Sequence, residues 1–165
     1  MLQLNVAKLK RAPGNEAFFK FSSNLPPQEL AGEGIRFPDP VEARLNVVNT
    51  GDLLVVQGKI SGRLLLSCNR CLEHFSWDFE VPFEESYAPA TGGGNEYLTF
   101  SGDMMDITPE VLKSIMLALP MKLLCRDDCK GICPECGRNL NEHTCNCSTV
   151  ELDPRLSVLK DFFKE

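Results

Sequence analysis

The first ninety residues alternate apolar and polar side chains with a period of two, which is typical of β-strands that bury one face of a sheet. The clearest example covers residues 75–81, where aromatic and aliphatic residues alternate with Ser, Asp and Glu. We therefore predict four or more antiparallel strands, arranged as a meander. Their apolar positions are Leu2, Leu4 and Val6, then Val41, Ala43, Leu45 and Val47, the runs 53–56 and 64–66, and Phe75, Trp77, Phe79 and Val81.

Glycine-containing segments separate these runs. Thr50-Gly51-Asp52 and Ser61-Gly62 each indicate a turn between strands. The segment 91–95, Thr-Gly-Gly-Gly-Asn, predicts a linker. A phosphate-binding loop is disfavoured there, because no strand–turn–helix context and no Lys-Ser/Thr pair accompany the glycines.

A helix is predicted directly after this linker region. Thr108 is suited to the N-cap and Pro109 to the first helical position, and an apolar stripe follows from Val111 to Leu119 before Pro120 ends the helix. A second, shorter helix is predicted from Asp153-Pro154, with an apolar face formed by Leu156, Leu159 and Phe163.

Composition and charge narrow the possible classes of protein and of binding partner. A chain of 165 residues with 43% hydrophobic residues can bury a core, and it has neither a secretory h-region nor a run of ~18 apolar residues, so we expect a cytoplasmic protein that does not enter a membrane. The net charge is −6: residues 71–112 carry nine acids and no Lys or Arg, whereas residues 1–70 have an excess of three cations. This balance favours a protein partner, and restricts any RNA contact to local basic surfaces.

The eight cysteines carry the most specific chemical signal. They form four close pairs, and a pair with a short spacer presents two thiolates to one metal ion. Four pairs make two complete Cys₄ zinc sites, for which we predict two zinc ions. The predicted ligands are Cys68 and Cys71, Cys125 and Cys129, Cys133 and Cys136, and Cys145 and Cys147.

Two pairings of these pairs remain open. In the sequential arrangement, Cys68/Cys71 joins Cys125/Cys129, and the two later pairs form the second site. In the interleaved arrangement, Cys68/Cys71 joins Cys133/Cys136 instead. The sequential arrangement is favoured because fewer chain segments cross.

Other uses of the cysteines are weighed against zinc. Disulfides are disfavoured in a reducing cytosol, and a redox-active Cys68-x-x-Cys71 lacks the βαβ context of that motif. A catalytic zinc would need an open position, and His143 is the histidine placed to replace a cysteine; a solvated loop residue is its simpler interpretation. His74 is expected on the surface. With so few histidines we predict that the protein is not an enzyme.

Cations flank the cysteine pairs, and they have two interpretations. They offset the charge of −2 on each zinc–tetrathiolate unit, or they meet phosphate groups. The residues concerned are Arg70, Arg126, Lys130 and Arg138.

The ordered motifs resemble a known family. They are Cys68-x-Arg70-Cys71-Leu72, a helix ending Leu-Ala-Leu-Pro120, the stretch from Cys125 through Lys130-Gly131-x-Cys133-Pro134-x-Cys136-Gly137-x-Asn139-Leu140-Asn141 to Cys147, and 153–159. This set is similar to the YceD-like family of large ribosomal RNA subunit accumulation proteins, over about residues 40–162. The resemblance implies a role in synthesis, processing or stability of large-subunit ribosomal RNA.

The sequence thus predicts an α+β fold with one integrated domain. It comprises an antiparallel, barrel-like β region (1–90), a linker and central helix (91–124), and a Cys-rich, zinc-stapled segment with a short terminal helix (125–165). The leading functional hypothesis is a non-enzymatic factor that acts on large-subunit ribosomal RNA precursor, ribosomal proteins or assembly factors, with no small-molecule substrate. A zinc- or redox-responsive sensor is the alternative, and a zinc hydrolase is a third.

Overall fold

The structure is a computed structural model that describes residues 1–30, 33–90 and 97–147. Within these ranges the chain is mostly β-sheet with one α-helix and one turn of 3₁₀ helix at Leu9–Arg11. The elements are β1 (Gln3–Asn5), β2 (Glu16–Ser23), β3 (Gln28–Leu30), β4 (Glu33–Ile35), β5 (Val41–Asn49), β6 (Leu54–Ser67), β7 (His74–Pro89), β8 (Leu98–Phe100), β9 (Met104–Asp106) and α1 (Thr108–Ala118).

Five strands form the main sheet, in the order β2-β5-β6-β7-β8. The strands β5, β6 and β7 make the predicted antiparallel meander, and β6 pairs with β7 without interruption from Leu54 opposite Tyr87 to Ser67 opposite His74. β8 departs from the prediction because it pairs with β7 in parallel, over three residues. The long β6–β7 hairpin therefore extends well beyond the rest of the sheet and carries its turn at one end.

The barrel-like form of the sheet is wrong. Among the described residues β2 pairs only with β5, and β8 only with β7, so the two ends of the sheet do not meet. Two further two-stranded sheets, β1–β9 and β3–β4, lie beside it. The buried core includes Val111 and Ile115 of α1 together with Leu4 of β1. The apolar side of the sheet is therefore covered by these elements and not by closure of the sheet into a barrel.

The turn predicted at Ser61-Gly62 is also wrong, since β6 runs straight through it. A Cβ added at Gly62 would lie 3.0 Å from Cζ of Phe79, so the glycine leaves room for this ring. At Gly58 a Cβ would lie 2.0 Å from the carbonyl oxygen of Arg44. Both glycines therefore permit close approach between neighbouring strands, where the sequence pattern suggested a chain reversal.

The start of α1 differs from the prediction. Ile107 occupies the N-cap and no side chain caps the helix, so Thr108 is not the N-cap residue. The hydroxyl of Thr108 instead accepts a hydrogen bond from the backbone N–H of Leu2 (2.8 Å), and its own N–H donates to Oδ1 of Asp106 (2.9 Å). Thr108 thereby ties the beginning of the chain to the beginning of the helix.

Two predicted segments lie outside the described residues. These are the linker at 91–95 and the terminal helix from Asp153. Across the ranges that the structure describes, no helix has the length and apolar character needed to cross a bilayer.

Candidate metal centre

The first cysteine pair occupies the turn of the β6–β7 hairpin. The N–H of Cys68 donates to the carbonyl of Glu73 (2.9 Å), and the N–H of Leu72 donates to the carbonyl of Cys68 (2.9 Å). Leu72 has a φ of +62°, in the left-handed region that glycine normally occupies. This tight turn places the sulfurs of Cys68 and Cys71 on the same side of the hairpin tip.

The chain after α1 brings the second pair to this tip. The N–H of Asn69 donates to the carbonyl of Leu123 (2.8 Å), which fixes the segment before Cys125 against the hairpin turn. The guanidinium of Arg70 donates to the carbonyl of Cys129 (2.8 Å). Both contacts join residues more than fifty positions apart, so the sheet and the Cys-rich segment meet at the first cluster.

The first cluster comprises Cys68, Cys71, Cys125 and Cys129, whose sulfur atoms all lie within 4.8 Å of one another. The sulfurs of Cys68 and Cys129 are 3.8 Å apart, and those of Cys71 and Cys125 are 3.6 Å apart. A tetrahedral zinc site with Zn–S bonds of about 2.3 Å requires sulfur separations of about 3.8 Å. A disulfide requires about 2.05 Å. The four thiols are therefore spaced for one metal ion.

The second cluster comprises Cys133, Cys136, Cys145 and Cys147, again with all sulfurs within 4.8 Å. Its first pair repeats the hairpin-tip turn: the N–H of Cys133 donates to the carbonyl of Arg138 (2.8 Å), and the N–H of Gly137 to the carbonyl of Cys133 (2.9 Å). Gly137 has a φ of +70° and occupies the position that Leu72 has in the first turn. The two turns are thus built alike, one with glycine and one without.

The clusters differ in their exposure to solvent. In the first, Cys68, Cys71 and Cys129 are at most 5% exposed. In the second, Cys133 is buried, but Cys136 and Cys147 are exposed. Oxidants and chelators therefore reach the second cluster more readily than the first.

This grouping is the sequential arrangement, and it excludes the interleaved one. The sequence placed all eight cysteines among the ligands, and the structure brings them together as two sets of four. His143 is exposed and belongs to neither set, and His74 is exposed at the start of β7. Of the four flanking cations, Arg70 and Arg126 make hydrogen bonds at the first cluster.

Backbone N–H groups stabilise the thiolate of one cysteine in the first cluster, and the thiolate is the form that binds a metal ion. Burial disfavours the thiolate of Cys68, but N–H groups, chiefly those of Cys71 and Arg70, donate to its sulfur and lower its pKa to about 6. Burial raises the pKa of Cys125 to about 12. A divalent metal ion bound here would favour the thiolate form of all four cysteines.

The thiols of the second cluster also differ in pKa. N–H groups of Cys136 and Glu135 donate to Cys133 and lower its pKa to about 7. The hydrogen bond to Cys136 raises the pKa of Cys147 to about 12. Each cluster therefore combines thiols whose pKa is lowered, Cys68 and Cys129 in the first and Cys133 in the second, with thiols whose pKa is raised.

Asn141 is a functional residue of this site that sequence reasoning did not assign. Its amide nitrogen donates to the sulfur of Cys129 (3.4 Å) and to Oδ1 of Asn139 (2.8 Å). Its amide oxygen accepts from the N–H of Lys130 and from the guanidinium of Arg126, both at 2.8 Å. Asn141 thus supports a ligand of the first cluster from the segment that also carries the second. The two asparagines that follow Cys136-Gly137, Asn139 and Asn141, were the available signal for this role in the sequence.

The donor sets fit zinc. Each cluster offers four sulfurs and no oxygen or histidine ligand, which matches the closed tetrahedral coordination of structural zinc rather than the open position of a catalytic site. All eight cysteines are free thiols in the structure.

An open, mostly antiparallel sheet joined to two four-cysteine clusters defines this class of protein: a β-rich scaffold whose cysteine-bearing turns could hold metal ions. The sequence profile described as "Large ribosomal RNA subunit accumulation protein YceD" matches residues 56–163. This is more than half of the chain, so the chain belongs to the YceD family. The resemblance seen in the sequence is confirmed.

Curated relatives extend the similarity over most of the chain. It is 26% identical to the uncharacterized protein YlbN of Bacillus subtilis over 153 residues, which cover 89% of each chain. It is 25% identical to the uncharacterized protein Rv2926c of Mycobacterium tuberculosis, over 96% of this chain and 79% of that one. A chloroplastic relative in Arabidopsis thaliana, named large ribosomal RNA subunit accumulation protein YCED homolog 1, is 25% identical over 81% of this chain and 54% of its own length. No solved structure matches the chain significantly.

Proposed function

We propose that this protein is a non-enzymatic factor that supports the accumulation of large-subunit ribosomal RNA, and that two structural zinc ions hold its recognition surfaces in place. Membership of the YceD family, over residues 56–163, is the observation that carries the proposal. The name of the Arabidopsis relative agrees with it. Precursor large-subunit RNA, ribosomal proteins or assembly factors are the proposed partners.

The geometry of the clusters supports a structural role for the metal. The first cluster joins the tip of the β6–β7 hairpin to the segment after α1, and buried thiols supply three of its four sulfurs. Four sulfur ligands leave no coordination position for a substrate or an activated water molecule. We therefore assign the metal to the stability of the fold and not to chemistry on a substrate.

Depletion of the protein tests this function. We expect the ratio of large-subunit to small-subunit ribosomal RNA to fall, and the wild-type gene to restore it. Cys71→Ser should fail to restore it, because the variant loses a buried ligand of the first cluster, whereas His143→Ala, at an exposed histidine outside both clusters, should restore it. An unchanged ratio after depletion would refute the proposed function.

The exposure of Cys136 and Cys147 favours one second candidate, a zinc- or redox-responsive sensor. In that case mild peroxide should release one zinc ion reversibly, and the release should alter partner binding. Zinc release without any change in partner binding would leave the structural role as the better account.

A further inference from the structure

The outer face of the main sheet carries a row of cations. Lys20 of β2 lies directly opposite Arg44 of β5, which lies directly opposite Lys59 of β6. All three side chains are exposed. Like charges that face each other across neighbouring strands destabilise a sheet, so an anion bound between Lys20 and Arg44 would relieve the repulsion between them.

The three cations are not equally available to bind an anion, because they differ in their ion pairs within the protein. Lys59 is neutralised by Glu80, at 2.6 Å. Arg44 forms a longer ion pair with Glu42, at 3.6 Å, and its side chain is 72% exposed. It also helps Lys59 to lower the pKa of the Glu80 carboxyl. Lys20 forms no ion pair within the described residues. Two acids lie on the same face of these strands, Glu16 at one end of β2 and Glu42 at the start of β5. The positive charge of Lys20 and Arg44 is therefore local, and it lies between these two acids at the free edge of the sheet.

An exposed aromatic ring lies next to this charge. Phe18 is 77% exposed on the same face of β2 as Lys20, two residues away along the strand. Asn46 of β5 lies opposite Phe18, and Gln57 of β6 lies opposite Asn46. Their amide nitrogens donate to Glu16 (2.9 Å) and to Glu84 (3.0 Å). A shallow depression of about 360 Å³ lies between these side chains and those of the cations. An aromatic face, two cations and two amides thus surround one concave patch.

This combination fits single-stranded nucleic acid. Such sites pair cations, which follow the phosphates, with aromatic rings on which bases stack. A duplex would offer its phosphates but keep its bases stacked inside, so it would leave Phe18 unused. The acids Asp78, Glu80 and Glu84 line the same face on β7. Glu16 and Glu42 lie on β2 and β5 at the two ends of the patch. These acids repel phosphates and confine a bound strand to the patch between them.

We propose that the outer face of β2 and β5 binds single-stranded RNA, with a base stacked on Phe18 and phosphates held by Lys20 and Arg44. The proposal rests on the proposed function, since it identifies large-subunit ribosomal RNA as a direct partner. It also accounts for RNA contact in a protein with a net charge of −6, because the cations are gathered on one small surface.

Fluorescence anisotropy with a labelled single-stranded RNA of about 12 nucleotides tests the surface. Phe18→Ala should weaken binding about tenfold, and Phe18→Tyr should retain it. The double variant Lys20→Ala/Arg44→Ala should reduce the slope of log affinity against log salt by about 1.4, which is the loss of two phosphate contacts to a single strand. The same RNA annealed to its complement should bind more weakly.

Two matched controls lie on α1. Leu117 is also 77% exposed, and Lys113 is an exposed cation, so Leu117→Ala and Lys113→Ala should bind RNA like the wild type. Because every substituted side chain is exposed, no variant should unfold at a lower temperature, and removal of the facing cations Lys20 and Arg44 should leave the unfolding temperature unchanged or slightly higher. Wild-type affinity in both Phe18→Ala and the double cation variant, or a preference for the duplex, would overturn the proposal.

Complementation in depleted cells separates this surface from the proposed function. If the Phe18 and cation variants bind like the wild type and restore ribosomal RNA fully, the surface is wrong and the proposed function stands. If RNA binds through Phe18 while depletion leaves ribosomal RNA unchanged, the proposed function is wrong and the surface stands. Retention of a ribosomal protein by this face after ribonuclease treatment, with no RNA binding, would assign the face to a protein and overturn the RNA proposal.

Discussion

Removing the amide of Asn141 should weaken metal binding at the first cluster although Asn141 is not a ligand. Its nitrogen donates to the sulfur of Cys129, and its oxygen holds Lys130 and Arg126 in place. Burial disfavours the Cys129 thiolate, and Asn141 is the principal donor that lowers the pKa of this residue. Asn141→Ala therefore makes Cys129 a poorer ligand and loosens the loop that presents it.

Losses of this kind reduce metal affinity about 10- to 100-fold, which corresponds to about 1.4 to 2.7 kcal/mol. Competition with a chromophoric zinc chelator measures the affinity. We expect one of the two metal equivalents to shift by this factor. The other should stay in place, because the second cluster does not use Asn141 as a donor.

Asn141→Asp separates the two roles of the side chain. The carboxylate keeps an oxygen for Lys130 and Arg126, but it loses the donor and places a negative charge beside a thiolate. It should weaken metal binding at least as much as alanine does. Glu142→Ala, at the exposed neighbouring residue, is the control and should have no effect. Wild-type affinity in Asn141→Asp would refute the donor role, and wild-type affinity in both variants would refute the whole argument.

Three further predictions follow from the clusters and the sheet. Cys133→Ser should release one zinc ion, seen by elemental analysis, and leave the circular dichroism of the sheet unchanged; global unfolding would contradict the observed pairing. Gly58→Ala should lower the free energy of unfolding in urea by about 3 kcal/mol, since its Cβ would meet the carbonyl of Arg44, whereas Gly34→Ala has open space and should be nearly neutral. On acidification, the second cluster should release its metal before the first. The lowered pKa values of Cys133 and Cys68 stabilise their thiolates, and this stabilisation is complete when the pH is above the ordinary thiol pKa. It is lost as the pH falls through the pKa of about 7 at Cys133 and then through the pKa of about 6 at Cys68. Zinc retained after dialysis at stepped pH measures the order, and release in the reverse order would be inconsistent with these shifts.

The cysteine spacing predicted the four pairs, and the order of the pairs along the chain favoured the grouping that the structure shows without excluding the interleaved one. Each short pair can form only a local turn, and the chain order made the sequential arrangement the simpler one. The position of the first pair between two strands also followed, because the apolar alternation resumes directly after Cys71. What spacing could not indicate was the support from Asn141, since an exposed-looking Asn in a polar segment carries no periodic signal.

The sheet was predicted less completely. β2 was not predicted as a strand. Phe19 and Phe21 alternate with polar residues, but Phe18 places an apolar side chain on the solvent face and so disrupts the pattern. Gly62 suggested a turn, but its absent side chain accommodates the ring of Phe79. Both errors have the same cause: a local pattern does not show which tertiary neighbour or ligand a position serves.

Metal content tests the central claim most directly. Protein purified under reducing conditions should contain two zinc ions per chain, and X-ray absorption should give four sulfur neighbours for each at about 2.3 Å. Removal of both ions with a strong chelator should lower the unfolding temperature. Protein that contains no metal, and whose unfolding temperature is the same with and without chelator, would contradict the account.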